Sequence, residues 1–183
     1  LVFLTALALT TLIQIWLATR HIRHIRAHQN TVPEKFSSQI NLADHQKAAD
    51  YTCAKTRTGY PGVVLQVALL LIFTLGGGLN ALNSFWANWL GDPLAHGMAL
   101  IISTFLLMGI AEVPLSYYRT FVIEEQYGFN KMTRAMFFTD LIKQSLLGLL
   151  LGAPLLFCVL WLMEKTGENW WLYAWLAWIA FNL

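Results

Sequence analysis

The chain has 183 residues, of which 57% are hydrophobic and 12% are charged, with a formal net charge of +2. Soluble domains usually carry about 25% charged residues, so this composition excludes an ordinary soluble domain, and the small charge argues against nucleic acid as a partner. Cys53 and Cys158 are the only cysteines, too few for a disulfide scaffold or a thiolate metal site.

The apolar residues form long runs, and a helix needs about 20 such residues to span a bilayer. We predict an all-α, polytopic membrane protein, because backbone groups inside lipid must be satisfied internally and these runs are too long and too uniform for barrel strands. The first and last of its five spans are expected to be truncated, in a fragment of a longer protein. The predicted spans cover residues 1–18, 63–85, 94–118, 146–163 and 170–183.

Lys and Arg are distributed unevenly between the connections. Eleven of the twelve basic residues lie in segments 20–61 and 119–144. Cytoplasmic loops are enriched in Lys and Arg, so we predict that both segments are cytoplasmic and that the N-terminus lies outside.

The segment after the first span contains three histidines on one helical face, with arginines between them. These residues are His21, His24 and His28 and Arg20, Arg23 and Arg26. The histidine spacing could suit a metal, but neighbouring cations oppose a bound dication. We favour a basic helix that lies at anionic headgroups.

Two intramembrane features interrupt the apolar pattern. Gly76–Gly78 would destabilise a helix and indicates a bend or a close contact. Glu112 precedes Pro114 by two residues in the third span, and an ionisable group there is a functional hypothesis by default. We predict that Glu112 faces water, although it could instead snorkel to the cytoplasmic end.

The segment 116–140 is typical of a helix, a stop and a second helix. Gly128 suits the C′ position, where φ is positive, Asn130 suits the N-cap of the next helix, and Phe129 could pack inward between them. Glu124 and Glu125 point about 100° apart on a helix, so they do not form an acid–base pair. Their expected partners are basic: Arg119, Lys131 or Arg134.

This segment also resembles a signature of the membrane-embedded CAAX prenyl endopeptidases, which are zinc metalloproteases. The matching pattern is Thr120-Phe121-Val122-Ile123-Glu124-Glu125-x-x-Gly128-Phe129-Asn130-x-x-Thr133. Weaker similarity lies at Val32-Pro33, at Val113-Pro114-Leu115-Ser116-Tyr117-Tyr118 and at Tyr173-Ala174-Trp175-Leu176.

The resemblance implies zinc bound by an H-E-x-x-H helix and a distant glutamate, and this chain has no H-E-x-x-H. We therefore assign no catalytic, cofactor-binding or metal residue here, and expect zinc and the C-terminal protease domain only in the full-length protein. The motif is carried over as a structural element near that domain. Its residues are Glu124, Glu125, Gly128, Phe129, Asn130 and Thr133.

The implied fold is a seven-span helical barrel around a water-filled chamber, which could accommodate Gln66, Asn80 and Glu112. The resemblance implies an endopeptidase of prenylated or membrane-associated proteins, with this fragment inactive alone. We expect the lipid bilayer, the protease domain and a peptide or prenylated peptide as partners, in a bacterial inner membrane, while eukaryotic relatives would occupy the endoplasmic reticulum or nuclear envelope. The alternatives are a transporter or channel subunit with Glu112 as a relay, or a non-catalytic membrane-assembly protein.

Overall fold

The computed structural model describes residues 1–182, and this part of the chain is helical without strands, so the predicted all-α class is confirmed. Short 3₁₀ turns occupy Glu34–Phe36 and Gly167–Asn169, and a π-helical segment occupies Arg119–Glu124. The α-helices are α1 Val2–His28, α2 Leu42–Arg57, α3 Gly59–Thr74, α4 Gly78–Ala87, α5 Pro93–Tyr118, α6 Arg134–Lys165 and α7 Trp170–Asn182.

Four helical stretches are long and apolar enough to cross a membrane by length and composition: Val2–His28, Leu42–Thr74, Pro93–Glu124 and Arg134–Lys165. Few large apolar side chains of these stretches are buried, and the others are exposed or half-buried, as expected where lipid replaces water as the solvent. The described part of α7 has 13 residues, fewer than the roughly 20 that a spanning helix needs.

The chain packs as two compact units. The first comprises Leu1–Leu71 with Ala111–Met132, and the second comprises Ile72–Ile110 with the residues from Thr133 onward.

In the first unit, the end of α1 packs against α2. Ile22 of α1 and Ala49 and Cys53 of α2 are buried. Thr19 and Tyr60 share a hydrogen bond of 2.9 Å between their hydroxyl oxygens, which joins α1 to the start of α3. The predicted cytoplasmic loop 20–61 is therefore largely helical.

Two glycines and a proline lie in the Gly59–Gly62 segment. The segment forms the first turn of α3. Pro61 is tolerated there because the first helical N–H groups have no intrahelical acceptor, so the missing proline N–H costs no hydrogen bond.

The run 63–85, predicted as one span, is divided between α3 and α4, and the break lies in the second unit. Gly77 has φ of 78°, a left-handed conformation that favours glycine. A Cβ atom on Gly76 would lie 2.8 Å from the carbonyl oxygen of Ile72, and one on Gly78 would lie 3.0 Å from the same oxygen. The glycines therefore produce both a bend and a close backbone contact.

The second unit also contains the packing of α6 on α7. The indole Nε1 of Trp86 donates a 3.0 Å hydrogen bond to Ser103 Oγ, which joins α4 to α5. A Cβ atom on Gly97 would lie 3.4 Å from a methyl group of Leu160, so α5 and α6 approach closely there.

Candidate functional site

The signature segment begins where α5 changes its helical geometry. Pro114 lies inside α5, which continues directly into the π-helical segment Arg119–Glu124. Proline removes one backbone hydrogen bond from a helix, and π-helical turns are frequent at functional sites. The first residues of the signature thus lie on a widened last turn of a membrane helix.

A Schellman-type cap ends this helix. The carbonyl oxygen of Glu124 accepts from the N–H of Phe129 at 2.8 Å, and that of Glu125 accepts from the N–H of Gly128 at 3.0 Å. Gly128 has φ of 75°, which confirms the predicted C′ position. The cap turns the chain sharply out of the helix.

Asn130 stabilises this turn but does not cap the next helix, so its predicted N-cap role is wrong. Its Oδ1 accepts from the N–H of Met132 at 2.7 Å, and its Nδ2 donates to Glu125 Oε2 at 2.7 Å. Thr133 is the N-cap of α6, and its hydroxyl accepts from the N–H of Met136 at 3.2 Å. Both residue types suit a cap, and the later one is used because α6 begins only at Arg134.

The predicted ion pairs of the two signature carboxylates are not formed. In the described part of the chain, neither Glu124 nor Glu125 pairs with Arg119, Lys131 or Arg134. Glu125 instead accepts the amide of Asn130. A side-chain amide five residues away can reach the carboxylate because the cap brings the chain back over the helix end.

Helix α2 packs on this turn through aromatic rings. The ring of Tyr51 lies 5.5 Å from that of Tyr127 and 4.6 Å from that of Phe129, measured between centroids. Lys47 Nζ lies 5.6 Å from the centroid of the Phe129 ring, and Lys55 Nζ lies 5.7 Å from that of Tyr51, both within cation–π distance. Phe129 is still 50% exposed, so it packs on α2 rather than inward as predicted.

Sequence reasoning missed this contribution of α2. Lys47, Tyr51 and Lys55 recur every four residues, which places them along one helical face. That spacing is the signal that could have indicated a cation–aromatic face, although it does not identify the partner.

Glu112 lines a polar cavity of about 220 Å³ between α3 and the end of α5, within the first unit. Glu112, Ser116 and Arg119 follow at spacings of four and three residues along one helical face, and Gln66 approaches from α3. A water molecule occupies about 30 Å³ of liquid volume, so the cavity can hold several waters. Its remaining lining is Gly62, Leu65 and Leu115.

A second cavity, of about 150 Å³, is also lined by Gln66. Its polar lining comes from Thr10, Thr11 and Gln14 of α1. Asn80, which was grouped with Gln66 and Glu112 by sequence, belongs to the second unit. The intramembrane polar side chains of the first unit therefore cluster around Gln66.

The described residues do not provide a zinc site. They contain no group of three or more His, Cys, Asp or Glu side chains that could hold a metal. The rings of His24 and His28 lie 4.3 Å apart, but His28 Nδ1 hydrogen-bonds the carbonyl of His24, and His45 Nε2 lies 3.3 Å from that of His28. These nitrogens face backbone oxygens rather than a shared metal position.

Comparisons with known proteins all point to one family. A family model described as "CAAX prenyl protease N-terminal, five membrane helices" matches residues 21–183. A CAAX prenyl protease 1 homolog of Caenorhabditis elegans is 30% identical over 176 residues, which cover 95% of this chain and 39% of that protein. A probable CAAX prenyl protease 1 of Schizosaccharomyces pombe is 37% identical over 166 residues, which cover 82% of this chain and 35% of that protein.

The fold is similar to that in the crystal structure of S. mikatae Ste24p, with a TM-score of 0.86 and 21% sequence identity. The similarity covers 96% of this chain and 42% of the Ste24p chain. The chain thus spans about two fifths of the length of these proteins.

Proposed function

Because this chain belongs to the CAAX prenyl protease N-terminal family, we propose that it forms the membrane part of a zinc metalloendopeptidase acting on prenylated or other membrane-associated proteins. Zinc would be held by residues outside this chain, in a C-terminal protease domain that would lie near the signature turn. The family match does not favour the transporter or membrane-assembly alternatives.

One continuous segment carries this proposal. Glu112, Ser116 and Arg119 line the polar cavity, and Arg119 also begins the π-helical segment that leads into the capped turn. The same helix therefore lines a polar cavity, which we expect to be hydrated, and presents the signature turn at its end. Such a helix could guide a peptide along the cavity towards a protease domain held at the turn.

The orientation of the chain across the membrane, and which cellular membrane it occupies, are also part of the proposal. The positive-inside rule places segments 20–61 and 119–144 in the cytoplasm, so the signature turn would face the cytosol. The bacterial inner membrane stays a prediction, because the relatives described above are eukaryotic and do not test it.

The activity can be tested on the full-length protein in proteoliposomes, with a farnesylated CAAX peptide and its unprenylated counterpart. We expect zinc-dependent cleavage that a chelator abolishes and that this chain alone does not perform. Glu112→Gln should lower kcat/KM by about fivefold, because a hydrogen bond from the peptide to a carboxylate contributes at least about 1 kcal/mol more than one to an amide. The matched control is Glu164→Gln, an exposed carboxylate that pairs with Lys165 outside the cavity.

Zinc-independent cleavage, or no cleavage of either peptide, would contradict the proposed activity. Equal decreases in kcat/KM from Glu112→Gln and Glu164→Gln would instead be compatible with the protease activity but would show that the cavity has no specific role in it.

Hydration of the cavity can be measured separately by cysteine labelling. In a Cys53→Ala, Cys158→Ala background, Glu112→Cys should react with a soluble maleimide at least about tenfold faster than Ile110→Cys on the same helix. Ile110 has an exposed apolar side chain that would face lipid, and thiols react as thiolates, which lipid disfavours. Equal or slower labelling at position 112 would show that Glu112 does not face water.

A further inference from the structure

The end of α1 carries a row of arginines that the proposed protease function does not use. Arg20 lies over Trp16, with its guanidinium carbon 5.4 Å from the ring centroid, and Trp16 is 57% exposed. Tryptophan is enriched at the boundary between hydrocarbon and headgroups, so this pair marks the membrane interface along α1. We call residues 20–28 the arginine arm.

Helix geometry fixes the depth of each arginine relative to this interface. At about 1.5 Å per residue, Arg23 lies roughly 4.5 Å beyond Arg20, and Arg26 lies roughly 9 Å beyond it. The headgroup layer is about 5–8 Å thick on each side of the hydrocarbon core. Arg20 and Arg23 therefore lie within the headgroup layer, whereas Arg26 lies at or beyond its outer edge.

The two inner arginines are also exposed, and Arg20 faces away from α2. Ile22 is 8% exposed on the α1 face that packs against α2, and Arg20 lies about 200° around the helix from it. Arg23 follows Arg20 by three residues, so the two are neighbours on the surface. Among the described residues, neither guanidinium has a carboxylate within ion-pair distance.

We propose that Arg20 and Arg23, with Trp16 beside them, bind the phosphate of an anionic phospholipid. The charge of this surface is complementary to such a headgroup, and a planar guanidinium forms paired hydrogen bonds with phosphate that an ammonium cannot. The site is independent of proteolysis and would tie the first unit to an anionic leaflet.

Native mass spectrometry of the full-length protein in detergent can test this site, with phosphatidylglycerol and phosphatidylcholine as probes. We expect the protein to bind phosphatidylglycerol more tightly. Each arginine near an anionic surface contributes on the order of fivefold in affinity, so Arg20→Gln with Arg23→Gln should weaken phosphatidylglycerol binding by about 25-fold. Arg26→Gln is the matched control, and it should change the affinity by less than about twofold because Arg26 lies about 40° around the helix from Ile22, on the α2 side, and farther from the phosphate.

A second variant separates phosphate recognition from charge alone. Arg20→Lys with Arg23→Lys keeps both charges, and we expect phosphatidylglycerol binding at least about threefold weaker than in the unchanged protein. Three results would each overturn the proposal. The first is a double lysine variant that binds phosphatidylglycerol as tightly as the unchanged protein, and the second is a loss of affinity from Arg26→Gln equal to that of the double glutamine variant. The third is no preference for phosphatidylglycerol over phosphatidylcholine.

Discussion

Gly76→Ala is expected to lower the melting temperature by about 5–10 °C, because its Cβ atom would lie 2.8 Å from a backbone oxygen of Ile72. A backbone atom cannot rotate away as the end of a side chain can, so the chain between α3 and α4 must shift. Overpacking of this kind costs about 2–3 kcal/mol, and each kcal/mol changes the melting temperature by about 2–4 °C at this chain length. Tryptophan fluorescence of the detergent-solubilised chain during heating would measure the change.

The matched control is Gly109→Ala in α5, where an added Cβ atom meets nothing within 4 Å. Alanine favours a helix over glycine by up to about 1 kcal/mol, so this variant should keep or slightly raise the melting temperature. Equal melting temperatures for Gly76→Ala and the unchanged chain would show that the break does not depend on the close contact.

Asn130→Ala is expected to lower the melting temperature by about 4–8 °C. The change removes two hydrogen bonds, one from the N–H of Met132 and one to the carboxylate of Glu125. A bond to a charged group contributes about 1.5–3 kcal/mol when sheltered, but Glu125 is exposed, so we expect about 2 kcal/mol for the pair of bonds. The same heating experiment would measure it.

An exchange of donor and acceptor tests whether this hydrogen bond is responsible. Asn130→Asp places a second carboxylate beside Glu125 and should destabilise the turn at least as much as Asn130→Ala. Adding Glu125→Gln supplies an amide that can donate to the new carboxylate, and it should recover at least half of the loss. No recovery in the double variant would mean that the two side chains are not coupled, and the stabilising role of Asn130 would rest on Met132 alone.

The signature turn shows how far local sequence can predict this site. The positive φ of Gly128 follows from a local backbone requirement, so a glycine after a helical run was sufficient to predict it. The choice of N-cap was not local. Asn130 and Thr133 are both suitable, and the start of α6 decides between them. The partner of Phe129 was even less predictable, because Tyr51 lies far away in sequence, on α2.

For the intramembrane residues, too, the sequence predicted local features but not contacts between helices. Composition indicated that Gly76–Gly78 would disturb a helix and that Glu112 would avoid lipid, because each residue type has an intrinsic cost in that setting. Neither feature alone could show that Gln66 and Arg119 share a cavity with Glu112. The shared cavity depends on how α3 packs against the end of α5.

By itself, the sequence determined that this protein is helical and resides in a membrane, because lipid leaves no other way to satisfy the backbone along long apolar runs. It also determined the helix end at Gly128, whose positive φ depends on residues within one short segment. Only the tertiary structure decided that α2 supports that turn and that one side of α5 adjoins a polar cavity. Those contacts join residues distant in the chain, and their energies depend on distances that exist only after the helices have packed.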